Sequence, residues 1–142
     1  MRRTFLAMTF GILAIGGIGL AQQHEHGDLG LRILSRNDMI EKIDGKKTKA
    51  TMVEVTLGPG AVEPAHRHPG AAFGYILEGE YEWAIDGNPA RRFKAGDTFY
   101  EPTGCLHRVS RNASKTSKTR ILAVVLHPAD VADVVIPLKN EK

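Results

Sequence analysis

Gly60-Ala-Val-Glu-Pro-Ala-His66-Arg67-His68 and, further along, Gly96-Asp-Thr-Phe-Tyr100-Glu101-Pro102-Thr-Gly104-Cys105-Leu-His107 are the stretches whose reading decides the fold. On an extended segment successive side chains alternate between faces, so His66 and His68 project to the same side. His107 follows a strand-like run, Thr98 to Glu101, and a Pro-x-Gly turn. Three imidazoles of this kind can converge on one metal ion. A three-histidine set with open positions beside it belongs to catalytic rather than closed structural sites.

Outward from these stretches the chain alternates like β-structure. Thr51, Val53, Val55 and Leu57 fall on one face of a half-buried strand, with Met52, Glu54 and Thr56 on the other, and Gly58-Pro59-Gly60 ends it. Phe73 to Leu77 leads through Glu78-Gly79-Glu80 to a second alternating run in which Tyr81, Trp83 and Ile85 share a face. Asp86-Gly-Asn-Pro89 turns the chain, Arg91 to Lys94 returns, and Ala95-Gly96-Asp97 turns it again. Val109 to Lys118 reads as a polar connection and Arg120 to Leu126 as a buried strand. Leu31 to Ile43 has no clean period; it is expected to hold a short strand, with Ser35 to Asp38 as a turn or helix start. Asp44-Gly45 is a hairpin-tip signal. Val131 to Leu138 is an apolar piece that fits a short helix or an edge strand equally well. Many short strands between Gly/Pro turns imply an all-β barrel or sandwich.

The two opening stretches resemble the two motifs of the cupin superfamily. Gly60, His66, His68 and Gly79 fit G-x5-H-x-H-x3-E-x6-G, with Ala72 where the pattern has glutamate. Gly96, Pro102, Gly104 and His107 fit G-x5-P-x-G-x2-H-x3-N, with Asn112 one residue late. The resemblance spans residues 50–128 and implies a small double-stranded β-helix, the cupin jelly-roll barrel, with a metal inside held by His66, His68 and His107. The motif glutamate supplies a fourth ligand in the common pattern, and alanine cannot. Ala72 and Gly74 then leave space beside the metal, and the missing carboxylate makes the site more positive by one charge. That favours anionic ligands such as enolates, catecholates and carboxylates. Tyr100-Glu101-Pro102 resembles the Tyr/Phe-Glu-Pro of three-histidine cupins, diketone-cleaving dioxygenases among them. The resemblance makes Glu101 a catalytic candidate that orients metal-bound water or acts as a general base; a salt-bridged residue at the barrel mouth is the plainer alternative.

The N-terminus is set apart. Arg2-Arg3 precedes the apolar run Phe5 to Leu20, and Gly19-Leu20-Ala21 is a small-x-small site, so residues 1–21 read as a signal peptide cleaved after Ala21. An uncleaved membrane anchor is the alternative. Arg2-Arg3-Thr4-Phe5-Leu6 resembles the twin-arginine export motif, and the Sec route is equally open. The product is expected to be periplasmic or secreted, with no membrane contact after cleavage. The chain of 142 residues carries 19 Lys+Arg and 16 Asp+Glu. Removing Arg2 and Arg3 leaves 17 against 16, a net charge of +1. Without a basic block flanked by aromatics, nucleic-acid binding is not expected.

Residues 22–49 form an N-terminal segment with room for strands, 50–128 the barrel, and 129–142 a tail that packs on the barrel or on a partner. Small barrels of this size often pair, so a homodimer is expected. The single cysteine, Cys105, excludes an intramolecular disulfide and reads as a small buried hydrophobe. His24 and His26 form a second His-x-His, an auxiliary metal site or a solvated tail. His127 reads as a strand-end residue, Arg67 as pointing away from the ligands, and Tyr75 and Trp83 as core or interface aromatics.

Three functions follow. The first is an exported metal enzyme of the cupin dioxygenase type, Fe(II) favoured, with Mn, Ni, Cu or Zn able to occupy the same ligands. Its substrate would be a small, chelating, oxygen-rich molecule, and isomerase or lyase chemistry fits the same site. The second is a non-catalytic cupin module that binds a metal or small molecule. The third, a structural protein without a site, requires all three histidines to be incidental.

Overall fold

A computed structural model describes residues 28–138; the expected signal peptide and the His24/His26 pair lie outside them. Ten strands run in chain order: β1 (Leu29–Ile43), β2 (Lys46–Leu57), β3 (His66–Arg67), β4 (Ala71–Glu78), β5 (Glu80–Ile85), β6 (Arg91–Lys94), β7 (Thr98–Glu101), β8 (His107–Arg111), β9 (Thr119–Pro128) and β10 (Ile136–Pro137). Among the described residues there is no helix. Two five-stranded sheets form, in the orders β1-β2-β9-β4-β7 and β10-β3-β8-β5-β6, and every pairing is antiparallel. This all-β, two-sheet architecture is consistent with a double-stranded β-helix.

The β2 alternation holds: Thr51, Val53 and Leu57 are buried and Val55 packs against them. Asp44 (φ 50°) and Gly45 (φ 72°) form the two-residue tip between β1 and β2. Both lie in the positive-φ region that matches a hairpin turn to the strand twist. β1 is the main departure from expectation. It is one 15-residue strand rather than a short one, and Ser35 to Asp38 continues it instead of turning. It is an edge strand, exposed along most of its length, with register shifts at Ile33/Ser35 and Asp38/Lys42. An unburied strand with slipped register has no reason to alternate. β8 likewise extends to Arg111, so the polar connection begins at Asn112. Asn112 is buried and staples that connection: its Nδ2 donates to the carbonyls of Leu57 and Gly58, while its Oδ1 accepts from Ser114 N.

The apolar tail piece resolves as an edge strand, β10, paired with β3. Two clusters fill the interior. One is aromatic, with Tyr81, Trp83 and Phe93 packed on Phe99 at ring separations of 5.6–5.8 Å. The other is aliphatic, with Val53, Ala72, Val125 and Val134. The histidines lie between the two.

Candidate metal centre

The β3–β8 ladder sets His66 opposite His107 and so joins the two sequence motifs. Further contacts lock the join. Gly104 N donates to the His68 carbonyl at 3.2 Å, and the Arg67 guanidinium, turned away from the histidines, donates to the Gly104 carbonyl. The ligand atoms of His66, His68 and His107 consequently lie within 4.8 Å of one another. His66 and His107 are buried and His68 is half-buried.

Two backbone carbonyls fix ring tautomers. His66 Nδ1 donates to Pro64 O at 2.9 Å, and His68 Nδ1 donates to Val134 O, just before β10, at 2.6 Å. A ring nitrogen that donates leaves the other with the lone pair, so both histidines present Nε2 to the cavity. His107 has Nε2 3.2 Å from the Tyr81 hydroxyl and Nδ1 3.3 Å from Glu101 Oε1.

Glu101 ends β7 and is 1% exposed. Its Oε1 accepts a hydrogen bond from the Trp83 indole at 2.8 Å, and its Oε2 lies 3.3 Å from His68 Nε2. Neither 3.3 Å approach has hydrogen-bond geometry, and Glu101 Oε2 and His107 Nδ1 are both buried without a partner. Burial raises the Glu101 pKa against the opposing Trp83 hydrogen bond. Burial, reinforced by any charge on His66 and His68, drives His107 down to about 3, and burial also lowers His68. His68 and His107 are therefore neutral at pH 7, the form that binds a metal.

Buried polar atoms without partners are rare and mark a missing ion, water or proton. Two of them among three imidazoles and a carboxylate suit a divalent transition metal. The residues present fit the ion that the motifs imply. Around them is a cavity of about 50 Å³. Tyr81, Phe99 and the polar groups form one side, and Val53, Val55, Ala72, Ile121, Ala123 and Val125 form an aliphatic wall.

Two residues join the site that the linear pattern did not single out as site residues. Tyr81 bridges His107 to Ser110 Oγ at 2.8 Å, and Ser110 donates to Glu63. Burial, with the charge of Glu63, raises the Tyr81 phenol well above its usual value. Glu63 could have been noticed, since it lies on the same short segment as His66. The other candidates stand apart. Cys105 belongs to the aromatic core, its thiol pushed up to about 11 by burial. His127 is a buried strand-end residue, with Thr51 2.8 Å from Nε2 and the Pro128 carbonyl 3.0 Å from Nδ1. Tyr75 lies exposed outside the barrel, whereas Trp83 is core and reaches the site through its N–H.

Residues 53–125 match the sequence profile of the cupin domain family. A 77-residue stretch is 34% identical to the dimethylsulfoniopropionate lyase DddQ of Ruegeria pomeroyi, over 54% of this chain and 36% of the lyase. The crystal structure of that lyase superposes with a TM-score of 0.59 at 23% identity, over 80% of this chain and 53% of the other. A 52-residue stretch is 40% identical to a gentisate 1,2-dioxygenase of Streptomyces sp, over 36% of this chain and 14% of the dioxygenase. The match thus spans only about a third and a seventh of these relatives' lengths. An uncharacterized Klebsiella pneumoniae protein with a double-stranded β-helix domain superposes with a TM-score of 0.56 at 16% identity, covering 82% of this chain and 89% of that one. Profile, sheet architecture and paired motifs agree, and the chain belongs to the cupin family.

Proposed function

We propose that the chain is an exported, metal-dependent cupin enzyme of the dioxygenase type, acting on a small, chelating, oxygen-rich molecule. His66, His68 and His107 are its metal ligands, Fe(II) is the favoured ion, and Glu101 handles protons at Oε2. The observation that carries this reading is the cluster of three imidazoles whose ligand atoms lie within 4.8 Å of one another, with the buried, partnerless Glu101 Oε2 3.3 Å from His68 Nε2. Matched stretches in a lyase and in a dioxygenase support catalysis in this part of the family. When bound, iron supplies Lewis acidity and one-electron chemistry with O2.

The chain's own groups set the remaining terms. The cavity of about 50 Å³ suits a small substrate beside the ligands, and the aliphatic wall favours a short apolar substituent. Trp83 orients Glu101 through Oε1 and leaves Oε2 to meet the substrate. Exposed Leu29, Leu31, Ile33 and Ile40 along the edge strand β1 suit pairing of two barrels into a homodimer.

Elemental analysis of protein purified after native export tests the assignment. About one ion per chain is expected, in keeping with a single three-ligand site, and it should vanish in the His66→Ala/His107→Ala variant. Protein that holds no metal after reconstitution with Fe(II), Mn(II), Ni(II) or Zn(II) would refute it. A binding module without turnover is the second reading, favoured by the small volume of the cavity. O2 uptake by the iron-loaded protein with diketones and catechols separates the two. Export that survives Arg2→Lys/Arg3→Lys would assign the signal to the Sec route.

A further inference from the structure

Ala72, where the family pattern has its glutamate, and Glu101 are direct partners across the β4–β7 ladder. They are 2% and 1% exposed, and both line the histidine cavity. Directly opposed residues of an antiparallel pair project to the same face with Cβ atoms about 5 Å apart, within the reach of one glutamate side chain. We propose that Glu101 is itself a metal ligand, the carboxylate having moved one strand sideways from position 72, so that three histidines and one glutamate complete the shell. This rests on the metal reading above and replaces the proton-handling role given there to Glu101, because Oε2 then binds the ion directly and no longer meets the substrate.

Three observations converge. Glu101 Oε1 is held by the Trp83 indole, which leaves Oε2 as the free donor, buried and without a partner. Oε2 faces His68 Nε2 at 3.3 Å. Since His68 Nδ1 donates to Val134 O, Nε2 carries a lone pair, and two acceptors confront each other with no hydrogen of the imidazole between them. Such a contact calls for a shared cation or a proton. The spacing matches the cation: two atoms each about 2.1 Å from one ion lie about 3.0–3.4 Å apart at octahedral to tetrahedral angles. The transposition also explains how the site keeps a carboxylate although Ala72 has none, which lowers its charge by one and lessens the preference for anionic ligands that an all-histidine shell would have.

Co(II) alone is the probe, read by its visible absorption and by titration of its affinity, in wild type, Glu101→Gln and Ala72→Glu/Glu101→Ala. Glutamine keeps an oxygen for Trp83 but replaces the donor at Oε2. Loss of the ligand should change the Co(II) absorption bands and weaken binding by on the order of 10–100-fold or more. The double variant, which returns the carboxylate to β4, should recover most of the affinity and a wild-type-like spectrum. Unchanged bands in Glu101→Gln, even with weaker binding, would overturn the proposal and leave Glu101 as a positioning group. If the double variant does not fold, the Glu101→Gln spectrum decides alone. Wild-type protein that binds no Co(II) would remove the metal reading itself, a failure distinct from unchanged bands.

Discussion

Trp83 sets the direction of Glu101, and the carboxylate has no other hydrogen-bond partner. Trp83→Phe keeps an aromatic ring in the cluster with Phe93 and Phe99 but removes the N–H. Leaving a buried acceptor unsatisfied costs about 1–3 kcal/mol, to which the lost ring volume adds. Urea unfolding of the metal-free variant should show that loss, and its metal affinity should fall as Oε2 is freed to wander. Unchanged affinity would mean that packing alone orients Glu101. At this scale the three histidines and Glu101 were legible because each sits at a fixed offset from a turn glycine or proline. Tyr81 was not. Period-two alternation puts Tyr81 and Trp83 on one inward face without saying which tip meets a polar group. The partner of Tyr81, His107, is 26 residues away in the chain.

Elements are held in register by a few backbone positions, and the glycines among them differ in what they do. Gly79, between β4 and β5, has φ 81°, and a Cβ there would lie 2.4 Å from the Lys118 carbonyl oxygen. Gly45, at the β1–β2 tip, has φ 72° with nothing within 4 Å of a Cβ. Gly45→Ala therefore carries only the left-handed backbone strain of about 1–2 kcal/mol. Gly79→Ala adds a clash that shifts the Lys118 backbone at the start of β9. Thermal unfolding should rank Gly79→Ala clearly below Gly45→Ala; equal losses would show that the β4–β5 turn yields freely. The same physics sets what the sequence reveals about elements. β2 and β9 are buried on one face or both and announce themselves by apolar pattern. β1, exposed and twice shifted in register, leaves no such pattern. In β8, Arg108 and Arg111 point to solvent from a short strand, and that polarity makes its end look like a loop.

At the scale of the whole molecule the site joins the two sheets. His66 and His107 come from the β10-β3-β8-β5-β6 sheet and Glu101 from the β1-β2-β9-β4-β7 sheet, so an ion held between them ties the sheets together and its binding energy becomes folding energy. The metal-free protein bears the cost of keeping the site neutral. Burial, then the neighbouring imidazoles, hold His107 near 3 against an ordinary value of 6.5, and His68 is lowered in the same direction. Between those values the unfolded chain binds more protons than the folded one, so stability falls as pH drops from about 6.5 toward 3. Glu101 acts the other way. Its pKa is raised, so the folded state binds the extra proton above 4.5, and its contribution weakens as pH rises through that window. Glu54, held low by hydrogen bonds from Arg120 and Arg32, sides with the histidines, since its stabilisation is lost as pH falls through its folded value. Two imidazoles against one carboxylate give a metal-free Tm that declines on acidification from pH 7 to 5, and Glu54 adds its loss only below about 4.5. A divalent ion binds only the neutral imidazoles, and at a hundredfold excess over its Kd it adds about 2.7 kcal/mol. Protons compete for the same lone pairs, so that increment should shrink at pH 5. Melting curves at both pH values, with and without Co(II), test each half of the argument. A flat metal-free Tm would mean that the buried imidazoles do not outweigh Glu101. A pH-independent metal increment would mean that the ion binds away from the histidines.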